Sequence, residues 1–167
     1  MNKKKLLISG LLTLSLALSA VLFLPSSQEL MTLVLPSALV GLSNSQREDA
    51  KLPLLEISPK LQKAAQLKAN DMAKRGYFSH YTPEGNPPWY WLDQVEYDYR
   101  SAGENLAVNF TESTDVDKAW MNSPKHRENI LNKKYTEVGI ATAKGLYKGE
   151  EATFVVQFFG KPTSTTN

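Results

Sequence analysis

Nineteen consecutive residues, 6–24, carry no charge, and the basic start MNKKK (1–5) stands directly before them. The pattern is that of an export signal, because the positive end stays cytoplasmic while the apolar run enters the membrane. Small residues at Ala17, Ser19 and Ala20 offer a cleavage point. At about 1.5 Å rise per residue the run also spans roughly 28 Å, enough to stay uncut in a bilayer. Residues 1–24 are therefore expected to be a signal peptide or an N-terminal membrane anchor, and the protein to be secreted or held at the cell envelope. Export places the chain where disulfides form, yet it contains no cysteine. Its fold must then be held by burial alone, and a lipid-modified cysteine is excluded.

About 130 residues remain, enough for one such core and too few for two. Without Lys3, Lys4 and Lys5, the 19 basic residues become 16 against 17 acidic ones. A near-neutral domain carries no nucleic-acid footprint.

Residues 28–36 (QELMTLVLP) are too few to span a membrane, so 25–36 read as a tether ahead of a domain at 37–160. A helical pattern from Ser37 turns Leu39, Val40 and Leu42 inward before the polar stretch SNSQREDAK (43–51). The next helix is well marked: Ser58 suits the cap, Pro59 the first helical position, and Gly76 the close. Between them Leu61, Ala64, Ala65, Lys68 and Met72 form one stripe, with Leu67 fitting it less regularly. Three prolines within YFSHYTPEGNPPW (77–89) require a loop, and loops on rigid scaffolds are where sites are usually placed.

A short aromatic helix (WYWLDQV, 89–95) follows, and YDYRSAGENLAVNF (97–110) reads as irregular backbone turning on Gly103. Ser113 or Thr114 caps a helix through Trp120 and Met121. Ser123-Pro124 repeats the cap-and-proline start and places His126 in the first turn of a short helix. YTEVGIATA (135–143) and EATFVVQFFG (151–160) read as an antiparallel hairpin around KGLYKGE, and 161–167 as a disordered tail. Helices first and paired strands last argue for an α+β or three-layer fold.

His80, Glu104 and His126 each stand at a segment boundary. Two imidazoles with a carboxylate suit a metal site or an acid/base pair, although no HExxH spacing is present and two unrelated surface histidines are the competing reading. In a first helical turn His126 faces the positive end of the helix dipole, which favours the neutral imidazole that a metal requires. Glu104, between Gly103 and the apolar Leu106-Ala107-Val108, is expected to be partly buried, where it either pairs with an imidazole or ties down its own loop. Ser79 lacks the GxSxG context of a nucleophile. Trp89, Tyr90 and Trp91 read first as a core patch, with sugar stacking or a membrane interface as alternatives. Glu128 and Glu137 read as solvent-facing charges.

Taken in order, AAQLKANDMAKRGYFSHYTPEG (64–85), GENLA (103–107), AWMNSPKHRENILNKKYTEVGIA (119–141) and FVVQFFG (154–160) resemble the CAP superfamily of cysteine-rich secretory, antigen 5 and pathogenesis-related class 1 proteins. The bacterial SCP-domain branch is the nearer match. The resemblance implies a three-layer α-β-α sandwich with a central antiparallel sheet. It also implies a cleft built from two histidines and two glutamates that in some members binds zinc or another divalent ion. His80, Glu104 and His126 match three of the four. Where the eukaryotic proteins of the family have the fourth, a glutamate after the tryptophan of the preceding helix, this chain offers Asn122 or Ser123.

The expected ligand-binding residues are accordingly Asn122 and Ser123, the expected metal ligands His80 and His126, and the expected catalytic residues, if the protein is an enzyme, His80, Glu104 and His126. Any zinc or other divalent ion is expected to be labile, since two nitrogen ligands fall short of the usual three. The leading expectation is a CAP-domain protein of the envelope or exterior that binds a divalent ion, or a small ligand, lipid or envelope component, in its cleft. It touches the membrane only through its N-terminal segment. A metal-assisted hydrolase of peptide or cell-wall glycan and an adhesion module with an inert cleft are the alternatives.

Overall fold

The computed structural model describes residues 33–163, so the leader and most of the tether lie outside the described residues. Among the described residues no helix is long and apolar enough to cross a membrane. The elements run α1 (Pro36–Asp49), β1 (Glu56–Ile57), α2 (Pro59–Arg75), α3 (Tyr90–Asp93), β2 (Tyr99–Val108), α4 (Ser113–Asn122), α5 (Pro124–Ile130), β3 (Glu137–Tyr147) and β4 (Glu150–Pro162).

One four-stranded sheet has the order β1-β3-β4-β2. The largely apolar run of β4, interrupted by Gln157, is explained by its central place, antiparallel to both β2 and β3. Phe154, Val156 and Phe158 face a core shared with Leu61, Ala64, Ala65, Ala69 and Met72 of α2. Val155 and Phe159 face the other core, with Leu39 of α1, Val116 and Trp120 of α4 and Ile130 of α5. The sheet thus lies between helical layers, as expected of an α-β-α sandwich. A two-residue edge strand, β1, pairs with β3 in parallel, a departure from the otherwise antiparallel sheet.

Several local expectations change. The stretch around Gly103 is not irregular: it is strand β2, and Gly103 is required by packing, since a Cβ there would lie 2.5 Å from the Tyr135 hydroxyl. The polar stretch 43–51 continues α1 to Asp49, because Ser43 and Arg47 extend its buried face with Leu39. Ser113 is not the cap of α4 but its first residue, and its hydroxyl accepts from the Leu35 amide (2.9 Å). Together with buried Val34, that bond joins the end of the tether to the domain. The hairpin turn is shorter than KGLYKGE: β3 runs to Tyr147, and only Lys148 and Gly149, both at positive φ, make the turn. Lys161 and Pro162 still belong to β4 rather than to a tail. Glu137 is half-buried and accepts from the Tyr97 hydroxyl (2.9 Å).

α2 begins at Pro59 behind Ser58 and closes on Gly76 in the left-handed conformation (φ 67°), as its sequence requires. It lies hard against β3, because a Cβ on Gly139 would come within 2.2 Å of the Leu61–Gln62 backbone and one on Gly145 within 2.4 Å of Ala73 O. Gly139→Ala must push the helix off the sheet and is expected to lower unfolding stability by about 3 kcal/mol. Gly41→Ala, in α1 with open space around the position, should instead gain about 0.5–1 kcal/mol. Urea midpoints of the two variants check both signs.

Candidate functional site

β2 is an edge strand, and the site lies along it, taking one histidine from each side of the sheet. His80 arrives on the loop after α2. Within that loop the Thr82 amide donates to Asn86 O (3.0 Å), the Gly85 amide to Thr82 O (2.8 Å) and the Asn86 amide to Thr82 Oγ1 (3.2 Å). Arg75 of α2 pairs with Glu84 and ties the turn to the helix. His126 arrives from the opposite layer in the first turn of α5.

Glu104 joins the parts. Its side chain is 2% exposed. Oε1 accepts from His80 Nδ1 at 2.5 Å, while Oε2 lies 2.6 Å from the Lys68 ammonium. That ammonium, fully buried on α2, also donates to the His80 carbonyl (2.7 Å). One lysine therefore neutralises the carboxylate and pins the backbone of the histidine that the carboxylate orients. Burial pushes the Lys68 ammonium below the ordinary lysine range, with Glu104 and then Asp71 acting to hold it up. In the tautomer that donates Nδ1–H to Glu104, His80 Nε2 is left as an acceptor, and half of the side chain is exposed.

The His126 imidazole is pushed below its ordinary value by burial and then by repulsion from the His80 ring when that ring is protonated. Hydrogen bonds seat its backbone. Asn105 Nδ2 donates to His126 O (3.2 Å) and to Gln157 Oε1 (3.0 Å), and Gln157 Nε2 donates to Ser43 Oγ (2.9 Å). Asn129 Nδ2 donates to Glu104 O (3.0 Å) and Asn105 Oδ1 (2.9 Å). On the far side Arg47 donates to the carbonyls of Ile130 (2.9 Å), Asn132 (2.9 Å) and Tyr135 (3.3 Å), which caps the end of α5.

A cleft of about 420 Å³ opens here, walled by His80, Tyr81, Pro87, Pro88 and Trp89 on one side and by β2 with Asn129 and Tyr135 on the other. Asn122 is exposed at the last position of α4 and half-buried Ser123 lies at the α4–α5 junction; neither lines this cleft. Their place beside Glu104 is taken by Asn129. Of the aromatic cluster, Trp91 is buried in the core, whereas half-buried Trp89 reaches the cleft.

Lys68, Asn129 and Tyr135 are the site residues that the sequence did not single out. A signal for Lys68 was present: it stands in the stripe of Leu61, Ala64, Ala65 and Met72, and a charge on a buried helix face needs a partner.

As a metal centre the donor set fits poorly. Both Glu104 oxygens are engaged, one of them by a buried cation, leaving two imidazoles. Among the described residues no three His, Cys, Asp or Glu side chains come together to hold an ion.

A family model described as "CAP: Cysteine-rich secretory protein family" matches residues 40–159. Over 122 residues the chain is 36% identical to "Uncharacterized protein YkwD" of Bacillus subtilis (strain 168), covering 73% of this chain and 46% of that one. It therefore spans less than half of that relative. Among solved structures, an extracellular protein containing a SCP domain from Bacillus anthracis str. Ames superposes with a TM-score of 0.64 at 29% identity, covering 75% of this chain and 39% of the other. An outer surface protein from Borrelia burgdorferi gives 0.66 at 24% identity, covering 84% and 97%, and shares the fold.

Removing one partner of the buried pair strands the other. Lys68→Met is expected to cost about 3–5 kcal/mol of unfolding stability, and Lys68→Met with Glu104→Leu to restore much of it. A double-mutant cycle in urea that shows no coupling between the two positions would refute the pair.

Proposed function

This chain belongs to the cysteine-rich secretory protein (CAP) family, and on that basis we propose that it is a binding protein of the cell exterior or envelope whose His80–Glu104 cleft holds a small ligand. The observation that carries this reading is the Lys68–Glu104–His80 chain. It sets His80 Nε2 at the mouth of a ligand-sized cleft, within the range of about 300–1,000 Å³ usual for such sites. The exterior location is supported by the charge-free run at 6–24 and by the extracellular SCP-domain protein with which the chain shares its fold. A divalent ion such as zinc enters only as a labile guest of His80 and His126, because Lys68 already serves the carboxylate. His126 is not among the residues lining the cleft, so its part in this reading is confined to that ion.

The same pair favours a second reading. A glutamate orienting an imidazole whose far nitrogen faces a cleft is the arrangement of a general base, so a hydrolase acting through His80 on an activated water is the enzymatic alternative.

Titration of the purified chain with a panel of sugars, amino acids, fatty acids and zinc chloride, followed by backbone amide NMR, tests the proposal. At least one organic class is expected to give saturable shifts at Gly103 and His80 that vanish in His80→Ala, and zinc to be stripped by a weak chelator. Shifts that ignore His80→Ala, or none at all, would leave an adhesion module with an inert cleft.

A further inference from the structure

The hydrogen-bonding inventory of the cleft narrows the ligand, taking the binding role of the cleft as given. Along β2 its free polar atoms are acceptors, while the Tyr81 hydroxyl and the Trp89 indole N–H belong to the aromatic wall opposite. His80 Nδ1 is committed to Glu104, which leaves Nε2. Asn129 Nδ2 is committed to Glu104 O and Asn105 Oδ1; both are oxygens, so the amide orientation is fixed and Oδ1 turns to Gly103. The Tyr135 hydroxyl donates its proton to Ala102 O (2.9 Å) and offers only lone pairs. At Gly103 the last two converge: a Cβ built there would meet Tyr135 Oη at 2.5 Å and Asn129 Oδ1 at 3.0 Å. The absence of a side chain at Gly103 lets these two acceptors pack side by side against β2 at the edge of the cleft.

Acceptors alone are satisfied by a cation or by a neutral molecule rich in hydroxyl or amide donors. Charge decides between them. Among the described residues the only carboxylate on the cleft, Glu104, is already paired with the buried Lys68 ammonium, so no net negative charge remains there to compensate a cation that gives up its water.

The wall opposite the acceptors is apolar and rigid. Tyr81 is 58% exposed, an unusual place for a ring on a turn held by three hydrogen bonds and an ion pair, and Pro87, Pro88 and Trp89 continue the surface. A ring held out in water at little further ordering cost is suited to receiving a flat partner.

We infer that the cleft is a carbohydrate subsite: it takes a neutral, hydroxyl-rich sugar ring with its apolar face against Tyr81 and its hydroxyls donating to His80 Nε2, Asn129 Oδ1 and Tyr135 Oη. Free oligosaccharides and the glycan strands of a cell wall share this chemistry.

The purified chain is titrated by NMR with the N-acetylglucosamine tetramer, with maltotetraose and with tetramethylammonium chloride, and is sedimented with purified peptidoglycan sacculi. A neutral sugar is expected to give saturable shifts at Tyr81, Gly103 and Asn129 that chelator does not change and that Tyr81→Ala weakens about tenfold, the exposed ring being removable without loss of fold. Sedimentation with sacculi that depends on Tyr81, without a response to the soluble sugars, supports the same subsite with the polymer as source. Binding of tetramethylammonium in place of sugars overturns the inference, as does sugar binding indifferent to Tyr81→Ala, or no sugar or sacculus binding. If a different compound class then gives shifts that His80→Ala abolishes, the binding cleft stands and only the carbohydrate assignment falls.

Discussion

The contact between Lys68 and Glu104 is the constraint on which the site depends. A fully buried ammonium and a carboxylate that is 2% exposed are tolerable only together, since either alone would be an uncompensated charge in an apolar layer. The pair fixes the register of α2 over the sheet, because Lys68 must reach the edge strand from the same helix face that packs Leu61, Ala64, Ala65 and Met72. Gly139 and Gly145 make that reach possible by letting the helix backbone lie directly on β3. Sequence, packing and chemistry meet at one lysine: it closes the core, neutralises Glu104 and holds the carbonyl of His80.

His126 is held on different terms. α5 is only seven residues long and buries Ile130 alone, too little apolar surface to seat it by packing. Its position comes from polar groups in chains across the sheet: Ser43, Gln157 and Asn105 lead from α1 to His126 O, and Arg47 grips the carbonyls after the helix. Such networks rigidify when every member is satisfied, which is what a short helix with so little apolar contact requires. The two histidines therefore stand on unlike foundations, an ion pair on one side and a hydrogen-bond relay on the other.

Much of this was legible in the chain. Helix α2 carried its cap residue, its N1 proline and its closing glycine, and the paired strands carried β-branched and aromatic residues on either side of a glycine turn, so their existence followed from local rules. The motif order placed His80, Glu104 and His126 before any coordinates, and the structure brings His80 to Glu104. What stayed hidden depended on partners distant in sequence. Gly103 read as a turn because a glycine without its neighbours signals conformational freedom, whereas the need for it comes from the Tyr135 ring 32 positions later. Ser43 and Arg47 read only as part of a polar stretch beyond the inward-facing residues, because polar residues on a helix face count against burial until the carbonyls and amides they serve are known. Asn122 and Ser123 drew attention through the missing glutamate of the family pattern, yet the polar group beside Glu104 is Asn129, one helix further on.

The absence of that second acid and the presence of the buried lysine act together on the electrostatics of the cleft. Two glutamates and two neutral histidines would make a site of net negative charge, a natural seat for a divalent cation. Here one carboxylate is absent and the other is matched by Lys68, so the charge that would hold a cation is already balanced from within the protein. What remains in the cleft is not charge but directed lone pairs on His80, Asn129 and Tyr135, fixed in place by bonds made behind them. A site of this kind selects by hydrogen-bond pattern and shape rather than by valence. With one acid matched by an internal base, the neutral, donor-rich guest proposed above meets no uncompensated charge in the cleft.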